Sequence, residues 1–309
     1  MRYFDLHCDT ATFAHTHNNA IDSKIMHINF SEEIPFTSWC QLFAVFIPDD
    51  LRGKAALDYF NNVVAYFKKQ VLLHSQKVEL CKTMQNVSRT LRQNKCAAIL
   101  SVEGGAVLAG ELRNVEYIKK IGVKALGLTW NGPNELGFGS AENKGLTEFG
   151  VQVVQELVRQ KIAVDVSHLS DAGFYDVCNV ISEPFIATHS NARKICSHVR
   201  NLTDEQFIEI RNRGGLVGMN FYYNFLRDTD SENAGIDDII AHMEHFLSLG
   251  GENIVAIGSD FDGAGIHPEI NSVYKIDALQ NRMLRRNFSD TLVDKILFKN
   301  AYQFFQKIM

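Results

Sequence analysis

Eight short apolar runs alternate along this chain with longer segments of helical periodicity, and this alternation limits the folds open to it. The runs are YFDLHCD, CQLFAVFI, AAILSVEGG, KALGLTW, IAVDVSH, PFIATHS, GLVGMNFY and NIVAIGSD. Strands that alternate with helices form a parallel sheet, because each crossover helix returns the chain to the same end of the sheet. Eight such units predict an α/β fold, a (β/α)8 barrel of the TIM type, with additional C-terminal helices from about Ile276 to Met309 that close the ring.

The segments between the runs carry helix signals. In EFGVQVVQELVRQK, Phe149, Val153 and Leu157 recur four residues apart and form an apolar stripe. LTDEQFIEIRNRGG offers Thr203 as a cap, acidic residues for the first turn and a glycine stop. No linker or repeat divides the 309 residues, of which 46% are hydrophobic, so we expect a single domain over residues 1–309.

Charge and composition exclude several function classes. The net charge is -5 and no strong basic block occurs, so nucleic acid is not an expected partner. The N-terminus lacks a signal peptide, and no apolar run approaches the ~20 residues that span a bilayer. We therefore expect a cytoplasmic protein with no membrane partner. The six scattered cysteines include no C-x-x-C pair and are interpreted as reduced, mostly buried residues.

Polar residues lie at the ends of five of the eight apolar runs. They are His7 and Asp9 in the first, Glu103 in the third, His168 in the fifth, His189 in the sixth and Asp260 in the eighth. Taken singly, each has a structural explanation, such as a backbone-bonded histidine, a loop cap or a turn former. Together they would meet at one rim of the barrel, where buried charge without a partner is costly. A metal ion is the simplest partner.

The ligand types narrow the metal. Imidazoles mixed with carboxylates, without a thiolate, suit zinc or a similar divalent ion. We assign His7, Asp9 and a bridging Glu103 to one ion, and Glu103, His168 and His189 to the other. Two ions roughly 3.5 to 4 Å apart would share a bridging water and deprotonate it. The predicted chemistry is hydrolysis by this metal-bridging hydroxide.

Two carboxylates are the predicted catalytic residues. Glu103 bridges the ions, and Asp260 accepts the proton of the water and returns it to the leaving group. The alternative for Asp260 is a third carboxylate ligand.

After the sixth run, HSNARKICSHVRN places several cations beside the rim, which would suit an anionic substrate group. Arg193 and Lys194 in this segment are interpreted as solvated, as is the loop around residues 10 to 30.

The chain also carries a family likeness. The series DLHCDT, SVEGG, LGLTWNGPNELGFGS, GLTEFG, VDVSHLS, THSNARKICSHVRNLTDEQ, GGLVGMNFY and GSDFDG resembles the membrane dipeptidase (renal dipeptidase) family of zinc metallopeptidases, in order from residue 3 to about residue 263. The resemblance implies an amidohydrolase-superfamily barrel with two zinc ions, the same five ligands and cleavage of dipeptides. It also implies that Arg200 binds the substrate carboxylate, that Asp260 is the acid/base residue, that a C-terminal D-amino acid is tolerated and that a homodimer forms.

The sequence departs from this family pattern at one position. Where the animal enzymes have LTH, with a histidine that contacts the substrate, this chain has LTW, with Trp130. Tryptophan donates one N–H but cannot shuttle a proton. Trp130 is a candidate substrate contact or wall residue, and Asn131 is a candidate to supply the donor.

These observations predict a zinc-dependent dipeptidase. Within enzymes, the alternative is another binuclear amidohydrolase that acts on N-acyl amino acids, lactones or cyclic amides. From another class, the alternative is a catalytically weak binding homologue that lost turnover through Trp130.

Overall fold

A parallel sheet of nine strands forms the centre of the protein, described by a computed structural model over residues 1–309. The strands are β1 (Arg2–Asp5), β2 (Ser38–Phe46), β3 (Val78–Leu80), β4 (Cys96–Glu103), β5 (Val123–Gly127), β6 (Ala163–Asp165), β7 (Ile186–Ala187), β8 (Leu216–Met219) and β9 (Val255–Ile257). The sheet closes because β2 pairs with β4 along its length, while β9 pairs with β1. The closed ring has the order β1, β2, β4, β5, β6, β7, β8, β9 and confirms the predicted barrel.

Each of the eight predicted strands corresponds to one strand of the barrel. The exception to the prediction is β3, which pairs only with the start of β4 and stays outside the ring. Several strands end earlier than predicted, as when β1 ends at Asp5 rather than near Asp9. The reason is that the regular backbone hydrogen bonds between strands end before the polar residues. These residues therefore lie beyond the strand, at the mouth of the barrel.

Helices surround the barrel. They are α1 (Thr10–Thr16), α2 (Gly53–Leu73), α3 (Met84–Arg92), α4 (Arg113–Ile121), α5 (Glu148–Arg159), α6 (Asp171–Val180), α7 (Asp204–Asn212), α8 (Ile236–Ser248), α9 (Ile276–Arg285), α10 (Asp290–Asp294) and α11 (Asn300–Ile308), with a π-helical turn at Lys295–Lys299. The Thr203 cap is confirmed, since its hydroxyl accepts from the amide of Gln206 in a capping box that opens α7. The C-terminal helices are confirmed as well.

The C-terminal helix closes the amino-terminal end of the barrel. Phe4 in β1 stacks on Phe305 in α11, with ring centroids 5.5 Å apart. The Asn300 amide donates to the carbonyl of Val255 at the start of β9. Phe4 belongs to a buried cluster that takes alternate residues from all eight barrel strands together with Phe298, Phe304 and Phe305. The barrel interior is thus a small apolar core, and chemistry is confined to the opposite, carboxyl-terminal end.

A buried histidine couples α8 to the loop after β7. His242 accepts a hydrogen bond from the amide of Ala192 at Nδ1, 3.0 Å away, and its Nε2 donates to the carbonyl of Leu226 at 3.1 Å. The bond from Ala192 requires the neutral imidazole, because Nδ1 can accept only while it is unprotonated. Burial lowers the pKa of His242 to about 4.

This histidine predicts acid sensitivity of the fold. Between pH 6.5 and 4 the unfolded chain binds a proton that folded His242 does not, so stability falls as the pH falls through this window. The full shift corresponds to about 3 kcal/mol. Urea unfolding of the wild type and of His242→Gln at pH 7 and pH 4.5 measures it. We expect a smaller loss on acidification in the variant, and equal losses would contradict the prediction.

Two further properties concern the whole chain. None of the helices combines the length and the apolar character that crossing a bilayer requires. All six cysteines are free, and five of them are buried, as predicted.

Candidate active site

The six polar residues singled out in the sequence converge at the carboxyl-terminal end of the barrel. Glu103 is the last residue of β4, while the other five follow the ends of their strands. The group comprises His7 and Asp9 after β1, Glu103, His168 after β6, His189 after β7 and Asp260 after β9. All six residues are at most 9% exposed. This is the end of the barrel where catalytic residues of this fold lie.

Glu103 stands at the centre of the group. One carboxylate oxygen, Oε1, lies 2.6 Å from Nε2 of His168 and 3.5 Å from Nε2 of His189. The other, Oε2, lies 3.7 Å from Nε2 of His7, which is in turn 3.5 Å from Oδ2 of Asp9. Each oxygen of Glu103 therefore faces a different set of candidate ligands, as a carboxylate that bridges two ions would.

Hydrogen bonds fix the tautomers of two histidines. Nδ1 of His168 donates to Oδ1 of Asn131 at 2.9 Å. Nδ1 of His189 donates to the Thr188 hydroxyl at 2.8 Å, because that hydroxyl gives its own proton to Asp165. Both Nε2 atoms are left with bare lone pairs, 2.9 Å apart and next to the Glu103 carboxylate. Electron-rich atoms in such contact repel each other unless a cation lies between them.

The charge balance around His7 also favours a cation. Burial opposes protonation of His7, but the carboxylates of Glu103, Asp9 and Asp260 outweigh it and raise the pKa of this imidazole to about 10. His7 Nε2 and Asp9 Oδ1 are buried without a hydrogen-bond partner. The oxygen and nitrogen donors of this group thus fit divalent ions in both number and chemistry.

Asp260 is held by a residue that the sequence analysis did not identify. Asn220, which follows β8, donates from its amide to Oδ2 of Asp260 at 3.0 Å. Oδ1 of Asp260 is then free to face His7, 3.9 Å from Nε2. Burial, together with the charges of Asp9 and Glu103, raises the pKa of Asp260 to about 7 against the opposing charge of His7. Asn220 also follows an apolar strand directly. The criterion that identified the other six residues, a polar residue at the end of an apolar strand, therefore applies to Asn220 as well.

Arg200 is a buried cation that lacks a partner. The side chain lies in the loop after β7 with its guanidinium carbon 5.5 Å from the centre of the Phe225 ring. Its Nε and Nη2 atoms are buried without hydrogen bonds. Burial lowers the pKa of Arg200 to about 10, although the carboxylates of Glu103 and Asp260 favour its charge. The guanidinium therefore stays protonated at neutral pH, with two donor atoms that no group of the protein satisfies.

The interpretation of Arg193 as solvated is wrong. Its guanidinium forms a two-bonded ion pair with Asp171 at 2.7 and 2.8 Å. It also donates to the carbonyls of Val199 and Asn201, the residues on either side of Arg200. The sequence could not reveal these contacts because they join the loop after β7 to the first turn of α6. Arg193 thereby fixes the backbone that carries Arg200.

A cavity of about 760 Å³ opens above the polar group. Trp130 lines it, with its ring centroid 4.9 Å from that of Phe46. Asn131 lines it as well, but its amide oxygen is engaged by His168, so only the amide nitrogen is available to a ligand. The cavity also takes side chains from residues 10 to 30, such as Phe13 and His17, so part of the segment that we expected to be a solvated loop belongs to helix α1 and the cavity wall.

The backbone at the site is specialised. His168 and Asp260 adopt positive φ angles of 69° and 63°, which non-glycine residues rarely adopt. Such strain persists only where surrounding contacts enforce it, and it is concentrated at functional sites. A Cβ atom on Gly263 would lie 2.0 Å from Oδ2 of Asp9. A larger residue here would displace the Asp9 carboxylate, so glycine lets the loop after β9 lie directly against the polar group.

The fold and this rim define a (β/α)8 hydrolase of the metal-dependent kind. The comparison with known families agrees. Over residues 1–309, the chain matches the membrane dipeptidase family, peptidase family M19, and it belongs to that family.

Individual relatives are similar over most of the chain. An uncharacterized protein of the pqqA 5' region in Klebsiella pneumoniae is 33% identical over 248 residues, which cover 75% of this chain and 90% of that protein. Dipeptidase tcpJ of Claviceps purpurea is 28% identical over 76% of this chain and 56% of its own length. A metallopeptidase from Rhodobacter sphaeroides, solved with a phosphinate mimic of the dipeptide L-Ala-D-Ala, superposes with a TM-score of 0.93 at 27% identity, covering 100% of this chain and 99% of that one.

Proposed function

We propose that this protein is a zinc-dependent dipeptidase that hydrolyses the peptide bond of dipeptides, including those with a C-terminal D-amino acid. One observation carries the proposal: the bare Nε2 atoms of His168 and His189 face each other and Glu103 beside a buried arginine without a partner. The first feature suits metal ions and the second suits a substrate carboxylate. The phosphinate ligand of the Rhodobacter sphaeroides relative supports the D-amino acid.

In this proposal His7, Asp9, Glu103, His168 and His189 would hold two ions, and the two oxygens of Glu103 face the two sets of ligands. Bound ions would supply an activated water and polarise the scissile carbonyl. The protein's own part is to orient the ligands. Asn131 and Thr188 hold the two imidazoles so that their Nε2 lone pairs point inward.

The remaining residues bind the substrate and move the proton. The free donors of Arg200 hold the terminal carboxylate, which sets where the scissile bond lies in the cavity. Oδ1 of Asp260 accepts the proton of the attacking water and returns it to the amine that leaves. Asn220 keeps Oδ2 of Asp260 engaged, so that one oxygen is left for this transfer. Trp130 and Asn131 serve as substrate contacts on the cavity wall.

The first experiment measures metal content and the release of free amino acids from L-L and L-D dipeptides, before and after chelation. We expect about two zinc ions per chain and turnover that chelation abolishes and zinc restores. Absence of bound metal after a zinc-replete preparation would overturn the site assignment. Two metals with cleavage of N-acyl amino acids, lactones or cyclic amides instead of dipeptides would favour the other amidohydrolase class, and metal without any turnover would favour a binding homologue.

A further inference from the structure

One wall of the active-site cavity is aromatic and only partly covered by the protein. Phe13, Phe46, Tyr59 and Trp130 line this part of the cavity, and each is half-buried. Ile25, at the cavity edge, is 67% exposed. Apolar rings left partly open in a concave site are suited to cover an apolar ligand group. We call these five residues the aromatic wall.

The aromatic wall lies across the barrel from Arg200. In the closed ring, β2 is four places from β7, so the two strands stand opposite each other. Phe46 is the last residue of β2, whereas Arg200 lies in the loop after β7. Phe46 also pairs in register with Glu103, which places its ring beside the central carboxylate at the barrel mouth.

This arrangement fixes the direction of a bound dipeptide. Arg200 packs over Phe225, which lies with Tyr222 and Tyr223 after β8, the neighbour of β7, and these three residues line the cavity on that side. If Arg200 holds the terminal carboxylate, the C-terminal residue occupies that side. The scissile carbonyl then lies over Glu103, and the N-terminal residue extends toward β2 and the aromatic wall.

We infer that the aromatic wall is the binding site for the side chain of the substrate's N-terminal residue and that it selects large apolar or aromatic side chains there. This inference rests on the proposed function. The five wall residues carry no charge. The cavity carboxylates Asp9 and Glu103 are committed to the polar group at the rim, and the neighbouring His17 ring stacks on Phe13, with centroids 4.1 Å apart. A charged N-terminal side chain would lose its hydration without gaining a partner, whereas an aromatic one would cover the rings.

The test compares kcat/KM for two series of dipeptides, X-Ala and Ala-X, with X as Gly, Leu, Phe, Glu and Lys. We expect Phe-Ala and Leu-Ala to exceed Gly-Ala by about 10- to 100-fold, and Glu-Ala and Lys-Ala to fall below both. The Ala-X series should vary less. Cleavage of all X-Ala dipeptides at equal rates, or a preference confined to the Ala-X series, would overturn the inference while the dipeptidase function stands. Cleavage of no dipeptide would overturn the proposed function itself.

Variants then locate the selectivity. Phe46→Ala and Tyr59→Ala remove rings carried by different elements, β2 and α2, so at least one should fold normally. Each should lower the ratio of kcat/KM for Phe-Ala over Gly-Ala by about tenfold. The matched control is Tyr117→Ala, which removes an exposed tyrosine on α4 outside the cavity and should keep the wild-type ratio. An unchanged ratio in both wall variants would show that the wall does not select the substrate.

Discussion

Replacing Asp260 by asparagine is expected to lower kcat for dipeptide hydrolysis by about 10²- to 10⁴-fold, the usual contribution of a positioned acid/base group. The amide keeps the size of the side chain but cannot accept the proton of the attacking water. Because Oδ2 is held by Asn220, the remaining atom of the variant still occupies the place of Oδ1. KM should change little, since the carboxylate of the substrate is bound elsewhere. Steady-state kinetics with a single dipeptide measures the effect.

Metal content separates the two roles considered for Asp260. Asp260 forms with His7 and Asp9 a group that is close enough to surround an ion, so a third carboxylate ligand is the competing explanation. If Asp260 transfers protons, Asp260→Asn should retain the zinc of the wild type. Loss of zinc together with activity would assign it as a ligand instead. Asp277→Asn, at an exposed position on α9, is the control and should retain both.

Replacing Arg200 by alanine is expected to raise KM for dipeptides, with kcat/KM falling by about 10²- to 10³-fold. The guanidinium is buried with two free donor atoms, so a substrate carboxylate would find a partner already desolvated and in place. The reacting bond lies at the opposite end of that interaction, so kcat should fall less. Kinetics over a wide range of substrate concentration separate KM from kcat.

A second substrate makes this test specific to the carboxylate. The wild type should discriminate strongly against a dipeptide amide, which lacks the negative charge. Arg200→Ala should lose that discrimination and treat the acid and the amide alike. Lys194→Ala, which removes an exposed cation from the same loop, should behave like the wild type. Discrimination that persists in Arg200→Ala would assign the carboxylate to another group.

The barrel could be predicted from the sequence because its strands are buried on both faces and therefore appear as continuous apolar runs. In β2 the seven residues from Trp39 to Val45 are all buried. Strand β3 has no such run, since Glu79 and Leu80 are only half-buried at the edge of the ring, and it was missed. The six polar residues of the rim could be predicted because each of them lies at the end of an apolar run, where a polar side chain is unusual.

The contacts that orient those residues could not be predicted in the same way. Asn131 reaches His168, and Thr188 links His189 to Asp165, through hydrogen bonds between neighbouring barrel strands. No local pattern marks such a pair. The role of Arg193 could not be predicted either, because its partner Asp171 lies on the preceding helix and no local sequence pattern links the two residues. Sequence reasoning thus located the groups that face the cavity more readily than those that hold them.

The packing of helix α11 under the barrel has a consequence for the order of folding. His7 and Asp9 follow β1, which pairs with β9 and rests on Phe305 of α11. Arg2 is in turn bonded to Asp294, near the other end of the sequence. The strand that precedes His7 and Asp9 pairs with the nearby β2 on one side, but its other neighbours come from segments distant in sequence, so the rim is completed late in folding, by contacts of high sequence separation.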